Sequence, residues 1–97
     1  MRTFLSRLAE RDLEEIVDYI ASDDPRRALS FLDELRGQCA RIGDTPLAFP
    51  LRAELGAGIR SSLHGRYVIF FRMNKDRVLI LRILHGARDL PNQFRHE

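Results

Sequence analysis

Apolar positions recur at helical spacing in the first half of the chain and alternate in the second. Ala9, Leu13, Ile16, Val17 and Ile20 form one stripe at i, i+4, i+7, i+8 and i+11, with charge on the opposite side. This predicts a helix from the N-cap Ser6 to about residue 21, in which Arg11 and Glu15 pair on the outer face. Asp24-Pro25 marks a second start, with Asp24 as cap and Pro25 at the first helical position, where its missing N–H is not needed. Ala28, Leu32, Leu35, Cys39 and Ile42 then repeat at helical spacing up to a stop at Gly43. Only Ser22, Asp23 and Asp24 separate the two segments, so they are expected to form an antiparallel hairpin. Leu29 and Phe31 fall beside the second stripe and are expected to be more exposed, as surplus core or as a docking surface.

Residues 1–5 are short and partly apolar and predict an edge strand. Residues 44–57 hold Pro46, Pro50 and Gly56 with little periodicity, which predicts an anchored loop carrying Leu47, Phe49 and Leu51 across the domain. Strands are predicted over 58–64, 67–73 and 78–86, joined by a two-residue turn at Gly65-Arg66 and a four-residue turn over 74–77. The fold class is therefore α+β: an N-terminal edge strand, a two-helix hairpin packed on a three-stranded antiparallel meander, and a short C-terminal tail. The length, 97 residues, holds one core, so residues 1–97 are read as a single domain.

Those turn lengths set a register. Arg60 is expected opposite Phe71, and Ile69 opposite Arg82. One face then carries Arg60, Ser62, His64, Tyr67, Ile69, Phe71, Met73, Val78, Ile80, Arg82 and Leu84. The other carries Ile59, Ser61, Leu63, Val68, Phe70, Arg72, Leu79, Leu81, Ile83 and His85, and is expected to be the floor under the helices. On the first face Arg60 and Arg82 would flank Phe71 and Ile69 and form an anion-binding hollow. The competing reading is that each arginine lays its stem on the sheet and meets a surface carboxylate such as Glu54.

Charge sharpens that picture. Residues 1–51 carry seven Lys/Arg against ten Asp/Glu, and residues 52–97 carry nine against four, so the sheet half is the basic half. An acidic or nucleic-acid-associated partner suits it, as does a merely solvated face. Other classes fall away. Cys39 has neither a disulfide partner nor metal-ligand spacing and is expected to be a small core residue, so no metal or cofactor is predicted. No apolar run reaches the ~20 residues of a membrane span and no signal peptide opens the chain, which predicts no membrane partner and a cytoplasmic location. His64 and His96 lack a Ser, Cys or acid at triad spacing, His85 stands alone at a strand end, and no glycine loop fits a nucleotide fingerprint. After Gly86, Asp89 is placed to cap a single turn in which Leu90 and Phe94 form an i, i+4 apolar pair.

Ala9, Asp12-Leu13, Ile16, Tyr19-Ile20-Ala21, Pro25, Ala28 and residues 31–35 resemble the helical half of the RelE/ParE toxin superfamily. Residues 58–60, 65–72 and 78–90 resemble its sheet half, the last block most specifically. The resemblance implies the toxin of a type II toxin–antitoxin pair that inhibits bacterial growth, of the kind tied to plasmid stabilization. A cognate ParD-like antitoxin with an acidic toxin-binding segment would hold it in a hetero-oligomer. Leu29, Phe31 and Phe49 are the antitoxin-binding candidates.

RelE-like members cut mRNA on the ribosome, and in that reading Arg60, Arg82 and His85 would be catalytic. ParE-like members are not enzymes and inhibit DNA gyrase. No Tyr or Lys follows Gly86 to serve as acid or base, and the short last strand with its apolar-tipped tail is more similar to the ParE branch. The expectation is a non-enzymatic gyrase inhibitor whose target-binding residues are Arg60, Arg82, Arg88, Leu90 and Phe94. The alternatives are the mRNA endonuclease and a non-toxic module that only binds antitoxin.

Overall fold

The computed structural model describes residues 1–86. Strand β1 (Arg2–Leu5) leads into helix α1 (Arg7–Ala21), which turns back into helix α2 (Pro25–Asp44). Two short 3₁₀ turns, Pro46–Ala48 and Ala53–Leu55, precede the meander β2 (Arg60–His64), β3 (Tyr67–Asn74) and β4 (Arg77–His85). The sheet order is β1-β4-β3-β2, with β1 parallel to β4 and the other pairs antiparallel. Fold class and element order agree with the sequence-based expectation.

Local chemistry starts and stops the helices. The Ser6 hydroxyl accepts the Ala9 N–H at 3.0 Å, and the Asp24 carboxylate accepts the Arg27 N–H at 3.1 Å. Gly43 is not the stop: α2 continues to Asp44, and the glycine lies inside the helix. It is needed there for space, because a Cβ would run into the Met1 carbonyl, while the Met1 ammonium donates to the Gly43 carbonyl at 2.8 Å. The turn expected over 74–77 is also shorter. Asn74 pairs with Arg77, leaving Lys75 and Asp76 as a two-residue turn in which Lys75 adopts φ 59°.

The β2–β3 register is the expected one, Arg60 opposite Phe71 and His64 opposite Tyr67. The β3–β4 register is not. Met73–Val78 and Phe71–Ile80 pair as expected, but a bulge then inserts Leu81, so that Phe70 faces Arg82, Ile69 faces Ile83 and Tyr67 faces His85. The helices also cover the face opposite to the one expected. Ala9, Ile16, Phe31, Leu35, Cys39 and Ile42 pack on Ile69, Phe71, Val78, Ile80 and Ile83. Both faces are apolar enough to be a floor, and the pairing of β1 with β4 decides which one receives α1. Ile83 still ends up under the helices, because the bulge and the change of face cancel for residues after Leu81.

The far face holds a second, smaller core of Ile59, Val68, Phe70, Leu81 and Leu84, flanked by Leu55 and Leu79. The chain between α2 and β2 supplies part of its cover: Leu55 and Ile59 lie in it, and Arg52 stacks over the Phe70 ring at 5.7 Å. That segment also forms a short ladder with β2, the Pro50 carbonyl accepting Ser61 N–H and Arg52 N–H donating to the Ile59 carbonyl. The loop expected over 44–57 is therefore partly ordered as 3₁₀ turns and edge pairing.

Candidate functional site

The two arginines expected to share an anion-binding hollow do not meet in one. Arg60 is half-buried in β2, and its Nη1 donates to the Phe49 carbonyl at 2.6 Å, tying the preceding loop to the sheet edge. The bulge places Arg82 opposite Phe70 instead of Ile69, and its guanidinium still reaches α1, where Asp12 grips it in a fork: Nε to Oδ2 at 2.8 Å and Nη2 to Oδ1 at 2.9 Å. Arg82 and Asp12 are both buried, and Oδ2 of Asp12 accepts the Ile83 N–H as well, at 3.0 Å. The partner of Arg82 is thus an interior carboxylate, and neither the hollow nor a surface acid such as Glu54 describes it. Glu54 instead pairs with Arg52 at 2.9 Å, and that hydrogen bond holds the Glu54 carboxyl below its ordinary range.

Asp12 was not singled out by sequence reasoning as a site residue, although a signal existed. It lies three residues after Ala9 and four before Ile16, on the stripe that faces the sheet, and an acid on a buried stripe requires a cationic or N–H partner. The carboxylate therefore marks the place where α1 meets the end of β4. A cleft of about 590 Å³ opens there, lined by Asp12, Glu15, Ile16 and Tyr19 of α1, by Arg66 and Tyr67, and by Arg82, Ile83, Leu84 and His85 of β4. Tyr19, Arg66 and Tyr67 are further residues that sequence reasoning did not bring to this place.

His85 stands at the end of β4 on the helix side, its ring edge-on to Tyr67 at 5.6 Å. Tyr67 is also edge-on to Phe31 at 5.5 Å, and Phe31 to His64 at 5.4 Å. His64, Tyr67 and His85 form one cross-strand row, His64 opposite Tyr67 and Tyr67 opposite His85, under the first half of α2. Glu34 approaches His64 at 3.9 Å while bonded to Arg27 at 2.6 Å, and the Arg27 hydrogen bond lowers the Glu34 carboxyl from its ordinary range. Among the described residues no group of three His, Cys, Asp or Glu side chains is placed to hold a metal ion, and no helix is long and apolar enough to cross a membrane.

The three antitoxin-binding candidates separate. Leu29 projects from α2 and is 68% exposed. Phe31 is 3% exposed, so the expectation that it lies on the surface is corrected. Two positions on a helix turn the chain by about 200°, so Leu29 and Phe31 face opposite sides, and the broad apolar stripe includes Phe31. Phe49 is half-buried, packing edge-on against Phe71 at 5.7 Å. Leu47, Leu51 and Leu63 join Leu29 as exposed leucines, the first two before β2 and the third on that edge strand. Arg88, Leu90 and Phe94 lie outside the described residues.

Comparison with known proteins follows the same outline. The chain aligns over 88% of its length, and 95% of the other chain, with a solved structure of a chromosomal ParDE toxin–antitoxin system from P. aeruginosa, at 23% identity and a TM-score of 0.75. A chain of the RelBE2 toxin–antitoxin complex from Mycobacterium tuberculosis aligns over 87% of this chain and 95% of its own, at 27% identity and a TM-score of 0.58. No curated protein sequence matches. Residues 4–90, from β1 to beyond the end of β4, match the family model described as the ParE toxin of the type II toxin-antitoxin system parDE. With that match running through both the helix hairpin and the meander, the chain belongs to the ParE family of toxins of type II toxin–antitoxin systems.

Proposed function

We propose that this toxin acts by binding rather than by catalysis, that it inhibits DNA gyrase, and that an acidic segment of a ParD-like antitoxin neutralises it in a hetero-oligomer. The observation that carries the non-catalytic reading is the engagement of both candidate arginines inside the protein. Arg60 is bonded to the Phe49 carbonyl and Arg82 to Asp12, on opposite sides of the meander's bulge. Holding a scissile phosphate calls for cationic side chains converging on one point, and these two diverge. The family and the likeness to a ParDE structure support the gyrase reading over the ribosomal one.

Target contact is assigned to the residues beyond β4, Arg88, Leu90 and Phe94; Arg82, expected among them, is buried against Asp12 and supports the end of β4 instead, and the half-buried Arg60 is a secondary candidate. Antitoxin contact is assigned to the exposed apolar positions, Leu29 first, with Phe49 at the margin. The basic sheet half speeds encounter with an acidic segment, and apolar burial supplies most of the affinity. The test adds purified toxin in parallel to a gyrase supercoiling reaction and to a coupled translation reaction with transcript mapping. Inhibited supercoiling with intact transcripts is the expected result. Intact supercoiling with discrete mRNA cuts would replace this reading with the endonuclease, and silence in both assays would indicate a module that only binds antitoxin.

A further inference from the structure

β4 outruns the strand that covers it. β1 pairs with β4 only from Arg77 to Ile80, and beyond that point the neighbour along its outer edge is α1. Ser6 begins the exchange, its N–H donating to the Ile80 carbonyl at 2.8 Å and its hydroxyl to the Leu81 carbonyl at 2.8 Å. Asp12 completes it by accepting the Ile83 N–H and the forked Arg82 guanidinium together. One buried carboxylate thus fixes a backbone group and a side chain of β4 from a helix 70 residues earlier in the chain.

The bulge shapes this contact. With Leu81 inserted, Arg82 lies opposite Phe70 instead of Ile69 and reaches Asp12 with its guanidinium alone, while Ile83 presents its N–H to the same carboxylate where a continuing β1 would have taken it. Removing the carboxylate would leave a buried guanidinium without this counter-charge and a buried N–H without its acceptor, both unfavourable enough to force local rearrangement. The direction in which β4 leads to Gly86 is therefore tied to α1.

We propose that Asp12 is a positioning residue for toxicity. It does not touch the target; it orients Arg82 and the exit of β4, from which the chain runs into the proposed target-binding residues. The inference rests on that assignment of the target surface, and it is independent of whether the target is gyrase. Asp12 is buried against the sheet while Leu29 projects from α2 into solvent, so the antitoxin surface is not expected to depend on it.

The experiment compares the wild-type toxin, Asp12→Asn and a core control, Ile42→Ala, chosen to lower stability comparably without removing a hydrogen bond to β4. Growth arrest on expression, supercoiling inhibition, antitoxin affinity by calorimetry and thermal stability are measured for each. Asp12→Asn is expected to weaken growth arrest about tenfold or more while antitoxin affinity stays within about twofold, and the control remains toxic at a matched stability loss. Should Asp12→Asn not fold, Asp12→Glu keeps the charge, and the same separation between lost toxicity and retained antitoxin binding is expected. Undiminished growth arrest overturns the proposal, as does a parallel loss of toxicity and antitoxin affinity, or an equal loss of toxicity in the control. A wild-type toxin that arrests growth without inhibiting supercoiling overturns the gyrase reading alone, and Asp12 is then judged on growth arrest.

Discussion

Ile69 of β3 lies opposite Ile83 of β4, in the place an unbroken ladder would give to Arg82. The extra residue is Leu81, and from Arg82 onward the side chains of β4 have changed face relative to simple alternation. Deleting Leu81 would restore an unbroken ladder while carrying Arg82 and Ile83 out of register with Asp12. The deletion is expected to remove about 3–5 kcal/mol or abolish folding, because it strands a buried ion pair. Leu81→Ala, which keeps the register, is expected to cost about 2–3 kcal/mol. Urea denaturation of the two variants makes the comparison.

The Asp12–Arg82 pair predicts a non-additive cycle. Asp12→Leu alone is expected to cost about 3–5 kcal/mol, since it takes the carboxylate away from a buried guanidinium. Asp12→Leu combined with Arg82→Met removes both charges and is expected to cost clearly less than the sum of the two single changes. Equilibrium unfolding of all four corners measures the coupling, and additivity would contradict the buried pair.

Two glycines of α2 should respond in opposite directions to the same substitution. Gly43→Ala drives a methyl group into the Met1 carbonyl and the Thr3 side chain, and is expected to cost about 1–3 kcal/mol. Gly37→Ala meets nothing within 4 Å and is expected to stabilise the helix by up to about 1 kcal/mol. Thermal melts of the two variants should therefore fall on either side of the wild type.

Glu34 predicts an acid-dependent contribution. Its carboxyl is lowered below the ordinary glutamate range, first by the Arg27 hydrogen bond, so folding favours its ionised form. The stabilisation is present above the unfolded-state value and is lost as pH falls through the lowered folded-state value. The melting temperature of the wild type is expected to exceed that of Glu34→Gln at neutral pH, with the gap closing only below the usual glutamate range. Both partners are exposed, so the gap should be small and shrink further in high salt.

The exposure of Leu29 and the burial of Phe31 separate binding from stability. Leu29→Asp is expected to leave the melting temperature nearly unchanged and to weaken antitoxin binding about tenfold or more. Phe31→Ala opens a void under α2 beside His64 and Tyr67 and is expected to cost about 3–5 kcal/mol. Calorimetric titration with the antitoxin, alongside melts of each variant, checks both outcomes.

What the sequence by itself determined is what neighbours in the chain decide. Ser6 and Asp24 cap helices because their oxygens reach an N–H three residues on, and the stripes from Ala9 and Ala28 set the helix faces. Gly65 closes a two-residue turn at φ 59°, so the β2–β3 register was legible as well. The second turn was read too long because a lysine, not a glycine, takes the positive φ at Lys75.

Only the tertiary structure decided the site. Alternation leaves two apolar faces on the meander, and nothing local to β4 says that β1 will stop at Ile80 or that α1 will take over its edge. Once it does, Ile83 N–H and Arg82 need an acceptor on the helix, and Asp12 supplies it. That arrangement holds because a buried cation and a buried N–H must be matched wherever the chain happens to bring a carboxylate.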